Sequence, residues 1–416
     1  MLSPSEASAR ILEDIKPLAA EDADTVDCAG RVLAAEAVAR VTIPPWNNAS
    51  MDGFAVRAAD VTTATARAPV RLPVVDSIAA GQFPSRALRA GEAMRTMTGA
   101  PVPDGADTVI RIEDTDGGGD AVVISNARDA SRNVRPAGED FRKGDVLAAK
   151  GAQLTPTTIG VLLSGGVTRV AVHRRPRVAI ISSGDELVTV ENFSEVESGK
   201  RIVSTNSYTL PALVRDAGAE AVDLGVARDT RESLRDKLEQ AAGADLIITS
   251  AGISVGDADY TRDVFASLGG KQKFWKVRIR PGAPLAFGDL NGVPWLGLSG
   301  NPVSAVVTFE LFARAVIRKM TGHRFLFRRP LPVEIEGEVT IAADLTHFLR
   351  ARTYRDGARL RARLTQSQSS ASLSSLAAAN ALLVVPPERK SYAAGTEMFA
   401  LPLEDYPFEL EQIELQ

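Results

Sequence analysis

The sequence is poor in cysteine and histidine and lacks long apolar runs, and each shortage excludes a class of protein. Cys28 is the only cysteine among 416 residues, which excludes a disulfide framework and a cysteine-based zinc site. The three histidines, His173, His323 and His347, are scattered and lack metal-ligand spacing. No apolar run approaches a membrane span, and the N-terminus lacks the basic start and apolar centre of a signal peptide. We therefore expect a soluble, cytoplasmic protein.

The charge balance and the missing motifs exclude further classes. A formal net charge of −4 gives no general attraction to nucleic acid or to an anionic membrane, so a polyanionic ligand would need a local basic patch. The chain contains no nucleophile elbow, Walker motif or dinucleotide fingerprint. These absences argue against serine hydrolases, P-loop enzymes and Rossmann-cofactor enzymes.

The chain is long enough for two to four domains, and its patterns change along it. The stretch "SPSEASARILEDIKPL" predicts a capped amphipathic helix, and short alternating runs between about residues 68 and 127 predict a β module. From Arg177 apolar strands alternate with helices that have predicted polar caps at Asn206 and Thr230, which indicates a parallel sheet covered on both faces. From about residue 328 the pattern returns to β.

Two strand ends in the predicted parallel sheet combine small residues with acids. "IISSGDEL" places Ser183 and Gly184 before Asp185 and Glu186, and "ITSAGISVGDADY" places Ser250, Gly252 and Ser254 before Asp257 and Asp259. Ligands bind beyond the carboxyl ends of such strands, where small residues supply hydroxyl and backbone N–H donors. The acids suit a cation on a phosphate, while helix capping by the same acids remains the alternative.

Two further segments predict anion binding. In "FWKVRIRPGAPLAF" the cations Lys276, Arg278 and Arg280 alternate with apolar residues and lead into the turn at Gly282, although a solvated edge strand would show the same pattern. In "LGLSGNPVSAVVTF" a strand ends in a turn that begins a helix, whose first N–H groups suit an anion. The residues of this turn are Ser299, Gly300, Asn301 and Pro302.

Taken together, these motifs resemble the molybdopterin molybdotransferase family, the family of bacterial MoeA and the gephyrin E domain. The resemblance covers residues from about 44 to 320 in the family's order, and the C-terminal part fits more loosely. The matching segments are "PPWNNASMDGFAVRAAD", "MTGAPVPDGADTVIRIED", "VRPAGEDFRKGD", "ISSGDEL", "STNSYTLPALV", "GISVGDADYTRDV" and "LSGNPVSAVVTFELF".

The resemblance implies a multidomain α+β and α/β fold around a doubly wound domain of the molybdopterin-binding type. The implied domains are a discontinuous N-terminal domain of residues 1–44 plus 136–175, an inserted β module of 45–135, the α/β domain of 176–327 and a C-terminal β-barrel of 328–416.

The resemblance also implies the activity. The family inserts molybdate into adenylylated molybdopterin and releases AMP, with Mg²⁺ as the required ion, and it acts as a cytosolic homodimer. The molybdopterin adenylyltransferase and the cofactor-accepting enzymes are then candidate protein partners. The competing interpretations are a molybdopterin adenylyltransferase, a nucleotide-pyrophosphate hydrolase, and a non-catalytic carrier or scaffold for the molybdenum cofactor.

Carried over residue by residue, the resemblance implies a set of site residues. The functional carboxylates are Asp52, Asp140, Glu186, Asp229 and Asp259, of which Glu186 and Asp259 would hold Mg²⁺ and Asp52 would enter from the second subunit. Thr98 also matches, Lys276 and Arg280 match the basic pair, and Arg350 with Ser370 or Ser375 matches the oxyanion region that would bind molybdate. The chain departs from the family pattern at Ala251, Ala283 and Ser299, which replace a glycine, a lysine and a proline.

Overall fold

The structure is a computed structural model that describes residues 1–251, 258–342 and 344–403, and of residues 258–262 the backbone alone. Contacts divide the chain into two compact units. The larger unit comprises Met1–Glu21, Gly30–Ala34 and Val172–Gln416, and the smaller unit comprises Asp22–Ala29 and Ala35–Ala171. The predicted division into four domains stays a prediction.

The first helix, α1 (Pro4–Glu13), forms where the sequence predicts it. Ser3 accepts a hydrogen bond from the Glu6 amide, and the Glu6 carboxylate accepts one from the Ser3 amide, so a capping box fixes the helix start. Ala7 and Ile11 on one face of α1 are buried in the main core of the larger unit, together with Ile15 beyond its end. The helix therefore belongs to the core of the α/β part of the chain.

The segment up to His173 contains mainly short strands. They are β1 (Ala20–Asp24), β2 (Ala37–Val38), β3 (Asn48–Ala49), β4 (Gly53–Val56), β5 (Val70–Ile78), β6 (Ala93–Thr96), β7 (Thr108–Arg111), β8 (Ala121–Ile124), β9 (Val134–Arg135), β10 (Val146–Ala148) and β11 (Arg169–His173), with helices α2 (Ala58–Val61) and α3 (Pro156–Ser164). Five of these strands form a sheet in the order β7-β4-β6-β5-β8, which confirms that this part of the chain is a β module. Gly53 is required in this sheet, because a Cβ there would lie 1.9 Å from the Ile110 carbonyl oxygen.

The α/β part of the larger unit alternates strands and helices. Its strands are β12 (Arg177–Ser183), β13 (Leu187–Val188), β14 (Ile202–Val203), β15 (Glu220–Ala227), β16 (Leu246–Ser250), β17 (Gly270–Lys276), β18 (Ile279–Arg280), β19 (Pro284–Leu290) and β20 (Val293–Leu298). Its helices are α4 (Phe193–Glu197), α5 (Asn206–Asp216), α6 (Arg231–Gln240), α7 (Ala258–Ser267), α8 (Pro302–Thr308) and α9 (Arg314–Met320), the last two joined by a π-helical turn, Phe309–Ala313.

The six-stranded sheet of this part has the order β15-β12-β16-β20-β19-β17. The first four strands are parallel, which confirms the predicted parallel sheet, while β19 and β17 complete the sheet in antiparallel pairing. Along β12, Val178 and Ile180 belong to one buried cluster, and Ala179 and Ile181 belong to another. The sheet is therefore covered on both faces, as its uninterrupted apolar strands predict.

The C-terminal segment forms a closed β-barrel. Its elements are β21 (Leu331–Ile335), β22 (Val339–Thr340), β23 (Thr346–Asp356), β24 (Arg359–Leu364), α10 (Leu373–Ala377), β25 (Ala381–Val385), β26 (Ser391–Tyr392) and β27 (Glu397–Pro402). Five strands pair in the cycle β23-β24-β21-β27-β25 and back to β23, which leaves none of the five unpaired. The predicted C-terminal barrel is confirmed.

The prediction that the basic segment is one strand is wrong. The basic segment does not form a single strand, because it divides into β17, at the edge of the α/β sheet, and β18, which pairs in parallel with barrel strand β23. Val277 and Ile279 are nevertheless buried, while the three cations between and beside them are exposed. Among the described helices, none combines the length and the apolar character that crossing a membrane requires.

Candidate active site

A cavity of 560 Å³ lies beyond the carboxyl ends of the parallel strands β12, β16 and β20. This is the position at which α/β sheets bind ligands. Its walls come from three strand ends, the segment before α5 and one loop of the barrel. The lining residues are Ser183, Glu186, Leu187, Ile202, Val203, Ser204, Thr205, Asn206, Ser250, Ala251, Pro284, Ser299, Gly300, Asn301, Pro302, Ala371 and Leu373.

At the end of β12 the backbone makes room for an acid. Gly184 has φ +148°, and a Cβ at this position would lie 2.6 Å from an oxygen of the Glu186 carboxylate. The Glu186 side chain therefore folds back over Gly184, and it lines the cavity. Only glycine leaves this position open, so the "SGDE" sequence serves to place a carboxylate at the cavity wall.

Two hydrogen bonds join Asp229 to Asp185, the residue before Glu186. The Asp185 amide donates to the Asp229 carboxylate at 3.2 Å, and the Asp229 amide donates to the Asp185 carboxylate at 3.3 Å. Both residues are exposed. The structure therefore places Asp229 beside Asp185, which follows the β12 end and precedes Glu186, but neither Asp185 nor Asp229 is among the residues that line the cavity.

At the end of β16 a buried amide joins two walls of the cavity. The Asn206 side-chain nitrogen donates to Ser250 Oγ at 2.6 Å and to the Gly300 carbonyl oxygen at 2.8 Å. The prediction that Asn206 caps helix α5 is wrong, because the N-cap is Thr205 and no side chain caps this helix. The predicted cap at Thr230 is confirmed, since its hydroxyl accepts from the Ser233 amide.

Three buried hydroxyls, one of them from the cavity-lining Ser204, form a chain. Ser204 Oγ lies 2.7 Å from Ser207 Oγ, which donates to Ser182 Oγ at 3.0 Å. All three serines are less than a tenth exposed. Because each hydroxyl has a partner, the chain links β12 to the start of α5 without an unpaired polar group.

The turn after β20 meets both the β16 end and the barrel. Ala251 has φ +88°, a backbone conformation that favours glycine, and its Cβ would lie 3.0 Å from a Cβ added at Gly300. Helix α8 begins at Pro302, after Asn301. The Val303 amide donates to the Ser370 carbonyl oxygen at 3.2 Å, so one N–H of the first turn is occupied by the barrel loop.

The three predicted cations lie outside the cavity wall. Lys276, Arg278 and Arg280 are exposed, and Arg278 donates to the Asp344 carbonyl oxygen at 3.3 Å. Lys276 and Arg280 form no salt bridge with a residue in the described ranges. Gly282 has φ +96°, and a Cβ there would meet Thr308 Cγ2 at 2.4 Å, so packing against α8 requires this glycine.

The barrel contains a buried cation. Arg350 is 0% exposed, and its guanidinium donates to Ser375 Oγ at 3.2 Å and to the carbonyl oxygens of Ser367 and Ser369, each at 3.0 Å. Burial lowers the pKa of the Arg350 guanidinium, which remains charged near neutral pH. Its partners in the described part of the chain are neutral. The same loop presents the Ser370 carbonyl to α8, and two of its residues, Ala371 and Leu373, line the cavity.

In the smaller unit the predicted residues Asp52 and Thr98 are joined. The Thr98 amide and hydroxyl both donate to Asp52 Oδ1 at 2.8 Å. These two hydrogen bonds, the backbone one first, lower the pKa of Asp52, so the exposed side chain is a carboxylate at neutral pH. Asp140 is exposed in a turn, where its amide donates to the Ile43 carbonyl oxygen at 3.2 Å.

Part of the predicted site lies outside the described residues. This holds for Gly252, Ser254 and Asp257, and for the side chain of Asp259, whose backbone begins helix α7. Among the described residues no group of three or more His, Cys, Asp or Glu could hold a metal ion. Within the described ranges, Glu186 is the acid that lines the cavity, and its carboxylate suits a hard cation that takes its other ligands from phosphates and water.

Sequence reasoning missed the segment before α5 and the barrel loop as parts of the cavity wall. Ile202, Val203, Ser204 and Thr205 line the cavity, although "IVSTN" shows no glycine-rich turn and no charge pattern. The short strand β14 pairs with β13 and so carries this segment to the β12 end. Only the spatial pairing of two two-residue strands identifies it.

Comparisons with known proteins agree along the chain. Residues 2–166 match the family described as "MoeA N-terminal region (domain I and II)", residues 179–319 match "Probable molybdopterin binding domain", and residues 334–403 match "MoeA C-terminal region (domain IV)".

Individual relatives cover most of the chain. A molybdopterin molybdenumtransferase from a Nostoc species is 36% identical over 393 residues, which is 92% of this chain and 89% of the relative. Molybdopterin molybdenumtransferase 2 of Mycobacterium tuberculosis is 37% identical over 384 residues, 89% of this chain and 91% of the relative. The crystal structure of the molybdopterin biosynthesis moeA protein from Pyrococcus horikoshii OT3 matches with a TM-score of 0.82 at 28% identity, covering 97% of this chain and 100% of that one.

Proposed function

Because this chain belongs to the molybdopterin molybdenumtransferase family, we propose that it inserts molybdate into adenylylated molybdopterin and releases AMP. The observation that carries the proposal is the meeting of two anion-compatible sites in one unit. The cavity at the strand ends offers hydroxyls and one acid, and the barrel loop that completes its wall holds the buried charge of Arg350.

The two substrates require different binding sites, and the cavity and the barrel loop provide one each. The pterin nucleotide is large and carries a pyrophosphate, so it requires a cavity of several hundred cubic ångströms with hydroxyl and N–H donors. Ser183, Ser250 and Ser299 supply such hydroxyls at three strand ends. Molybdate is a small dianion, and it requires a fixed positive charge with little competing water.

Arg350 fits the molybdate role because its charge is neutralised by no described carboxylate. A guanidinium whose partners among the described residues are a hydroxyl and two carbonyl oxygens keeps its net positive charge, which would attract an oxyanion at this loop. Ser370 lies on the loop beside it, and Ser375, in α10, accepts from the Arg350 guanidinium and donates its hydroxyl to the Ser372 carbonyl oxygen at 2.8 Å. The reaction then joins a metal oxyanion and a dithiolene where this loop meets the cavity.

Mg²⁺ is proposed as the ion that accompanies the pyrophosphate. Glu186 would hold it from the cavity wall, and Asp259 is its proposed second carboxylate. When bound, Mg²⁺ supplies charge neutralisation and polarisation of the phosphoanhydride bond that is cleaved. The protein contributes the orientation of the nucleotide by the serine hydroxyls and the exclusion of water by the apolar wall of Leu187, Ile202 and Val203.

Three further features are proposed with the function. The active protein is a cytoplasmic homodimer, and Asp52 with Thr98 completes the site of the second subunit. The hydrogen bonds from Thr98 support this role, because they hold an exposed side chain in one orientation as a carboxylate. The molybdopterin adenylyltransferase that supplies the substrate and the enzymes that accept the product are its proposed protein partners.

The experiment that tests the proposal is AMP release from adenylylated molybdopterin, measured with and without molybdate. The transferase should release AMP efficiently only when molybdate is present. AMP release that is equally efficient with and without molybdate would identify a nucleotide-pyrophosphate hydrolase instead. Absence of AMP release would indicate a carrier or scaffold. The serine-lined cavity alone is compatible with a transferase, a hydrolase or a carrier. The buried charge of Arg350 favours the transferase.

A further inference from the structure

The side chain of Asn206 occupies a junction in the cavity wall. It begins helix α5, is 6% exposed, and lies between the β16 end and the turn after β20. Its side-chain nitrogen donates one N–H to Ser250 Oγ and the other to the Gly300 carbonyl oxygen. Asn206 therefore fixes the distance between two walls of the cavity.

These hydrogen bonds also fix which way the amide points. A backbone carbonyl oxygen can only accept, so the atom that faces Gly300 at 2.8 Å must be the nitrogen. The oxygen Oδ1 then has a defined position in the amide plane, on the opposite side of Cγ from the nitrogen. The orientation does not depend on an ambiguous assignment of nitrogen and oxygen.

Oδ1 is a buried acceptor to which no residue in the described ranges donates a hydrogen bond. Leaving such an atom unsatisfied is costly, and native proteins rarely do so without a reason. Asn380 in the barrel shows the ordinary case, since its Oδ1 accepts from the Thr353 amide at 2.7 Å and its nitrogen donates to the Thr353 carbonyl oxygen at 2.9 Å. Asn206 differs from it in that its acceptor has no donor among the described residues, at a cavity wall.

We infer that Asn206 Oδ1 accepts a hydrogen bond from an N–H or O–H group of the bound pterin nucleotide. Asn206 is then a specificity-determining residue, because a ligand without a donor at this place would leave the acceptor buried and unpaired. The inference rests on the proposed function for the identity of the ligand. It assigns to Asn206 a binding role that helix capping, predicted from the sequence, does not include.

The test compares Asn206→Ala with the wild-type protein and with the matched control Asn380→Ala. The KM for adenylylated molybdopterin is measured at saturating molybdate, and the KM for molybdate is measured separately. We expect Asn206→Ala to raise the first KM about tenfold, the factor that corresponds to about 1.4 kcal/mol, and to leave the second within about twofold. Asn380→Ala should lower the melting temperature without changing the KM for adenylylated molybdopterin, because its side chain bonds Thr353 and does not line the cavity.

A second variant separates the acceptor from the two hydrogen bonds that join the walls. Asn206→Asp keeps an oxygen at the Oδ1 position and loses both N–H donors. If the acceptor matters, Asn206→Asp should have a lower KM for the pterin nucleotide than Asn206→Ala. If the two variants are equally impaired, the role of Asn206 is to join the walls, and the inference is wrong.

Titration with AMP alone locates the donor. A weakened AMP affinity in Asn206→Ala places the donor on the nucleotide half, and an unchanged affinity with a raised KM places it on the pterin half. A KM for adenylylated molybdopterin within about twofold of wild type would overturn the inference. Should Asn206→Ala fail to fold, Asn206→Ser carries the same expectation. A wild-type protein that releases no AMP would refute the proposed function instead, so the two failures are distinguishable.

Discussion

Arg350 has a positive charge that its described surroundings do not neutralise. Burying a charge without a counter-ion costs free energy, and three hydrogen bonds to neutral oxygens recover only part of that cost. Residues kept in such a position are usually kept for a ligand rather than for stability. The barrel loop around Arg350 is therefore the part of the site whose purpose is hardest to explain by folding alone.

Arg350→Met should separate function from stability. Methionine fills a similar volume without charge, so we expect an unchanged or higher melting temperature, together with at least a tenfold rise in the KM for molybdate. The affinity for AMP should stay within about twofold, because the nucleotide contacts lie in the cavity. Calorimetric unfolding and steady-state kinetics measure these quantities. A variant that unfolds early and binds molybdate normally would make Arg350 a structural residue.

Ala251 occupies a position where the family pattern has glycine, and its φ of +88° explains that preference. A left-handed conformation costs a non-glycine residue about 1–2 kcal/mol, while glycine loses roughly 0.5–1 kcal/mol more in backbone entropy on folding. Ala251→Gly should therefore raise the free energy of unfolding by about 0.5–1 kcal/mol. Chemical denaturation measures it.

The matched control for Ala251→Gly is Ala266→Gly in helix α7. Ala266 is exposed in the last turn of α7, so the substitution should lower the free energy of unfolding by about 0.5 kcal/mol. The two identical chemical changes thus have opposite predicted signs. Destabilisation by both would show that the backbone at Ala251 is not strained.

At the scale of elements, the sequence predicts structure well where one pattern persists along a run. The capping box fixes α1, the apolar runs of β12 and β16 predict a sheet buried on both faces, and Thr230 caps α6 as expected. The basic segment misleads because its alternation continues from β17 into β18, although the two strands pair in different sheets. Periodicity reports which side chains are buried, and it does not report the hydrogen-bonding partner of a strand.

Residues of the candidate site were likewise predictable where a sequence pattern places them at a strand end. Ser183, Glu186, Ser250 and the turn at Gly300 were predictable, because parallel strands end at one edge of the sheet. The contribution of β14 and the loop near Leu373 was not, since β14 reaches the cavity by pairing with β13 and the loop by its contact with α8. The role of Asn206 was hidden because a polar residue at a helix start ordinarily indicates a cap.

Strand β17 ends at Lys276, which the sequence predicts to contribute to phosphate binding. If its end contributes to phosphate binding, Lys276→Ala should weaken binding of the pterin nucleotide by tens of fold, as expected for a lost charge-assisted hydrogen bond. Lys271→Ala, at the exposed start of the same strand, is the matched control and should have no effect. Binding is measured at low salt. Equal affinities of both variants and wild type would identify β17 as a solvated edge strand.

At the scale of the whole molecule, the proposed site requires two chains. If Asp52 enters the site from the second subunit, an inactive Asp52→Ala chain and an inactive Glu186→Ala chain should complement each other in mixed dimers. One of the two sites in each mixed dimer then has both carboxylates. AMP release should reappear on mixing, after subunit exchange is demonstrated by differential labelling. No recovery despite exchange would place Asp52 and Glu186 in the site of a single chain.

The central claim is that one reaction couples molybdate insertion to AMP release, and the molybdenum content of the product tests it most directly. Adenylylated molybdopterin is turned over with molybdate, the pterin product is separated from free oxyanion, and its molybdenum is measured by mass spectrometry against the AMP released. The proposed function predicts one molybdenum atom in the pterin product for each AMP. AMP released in molar excess over pterin-bound molybdenum would contradict it, because the chain would then only hydrolyse the nucleotide.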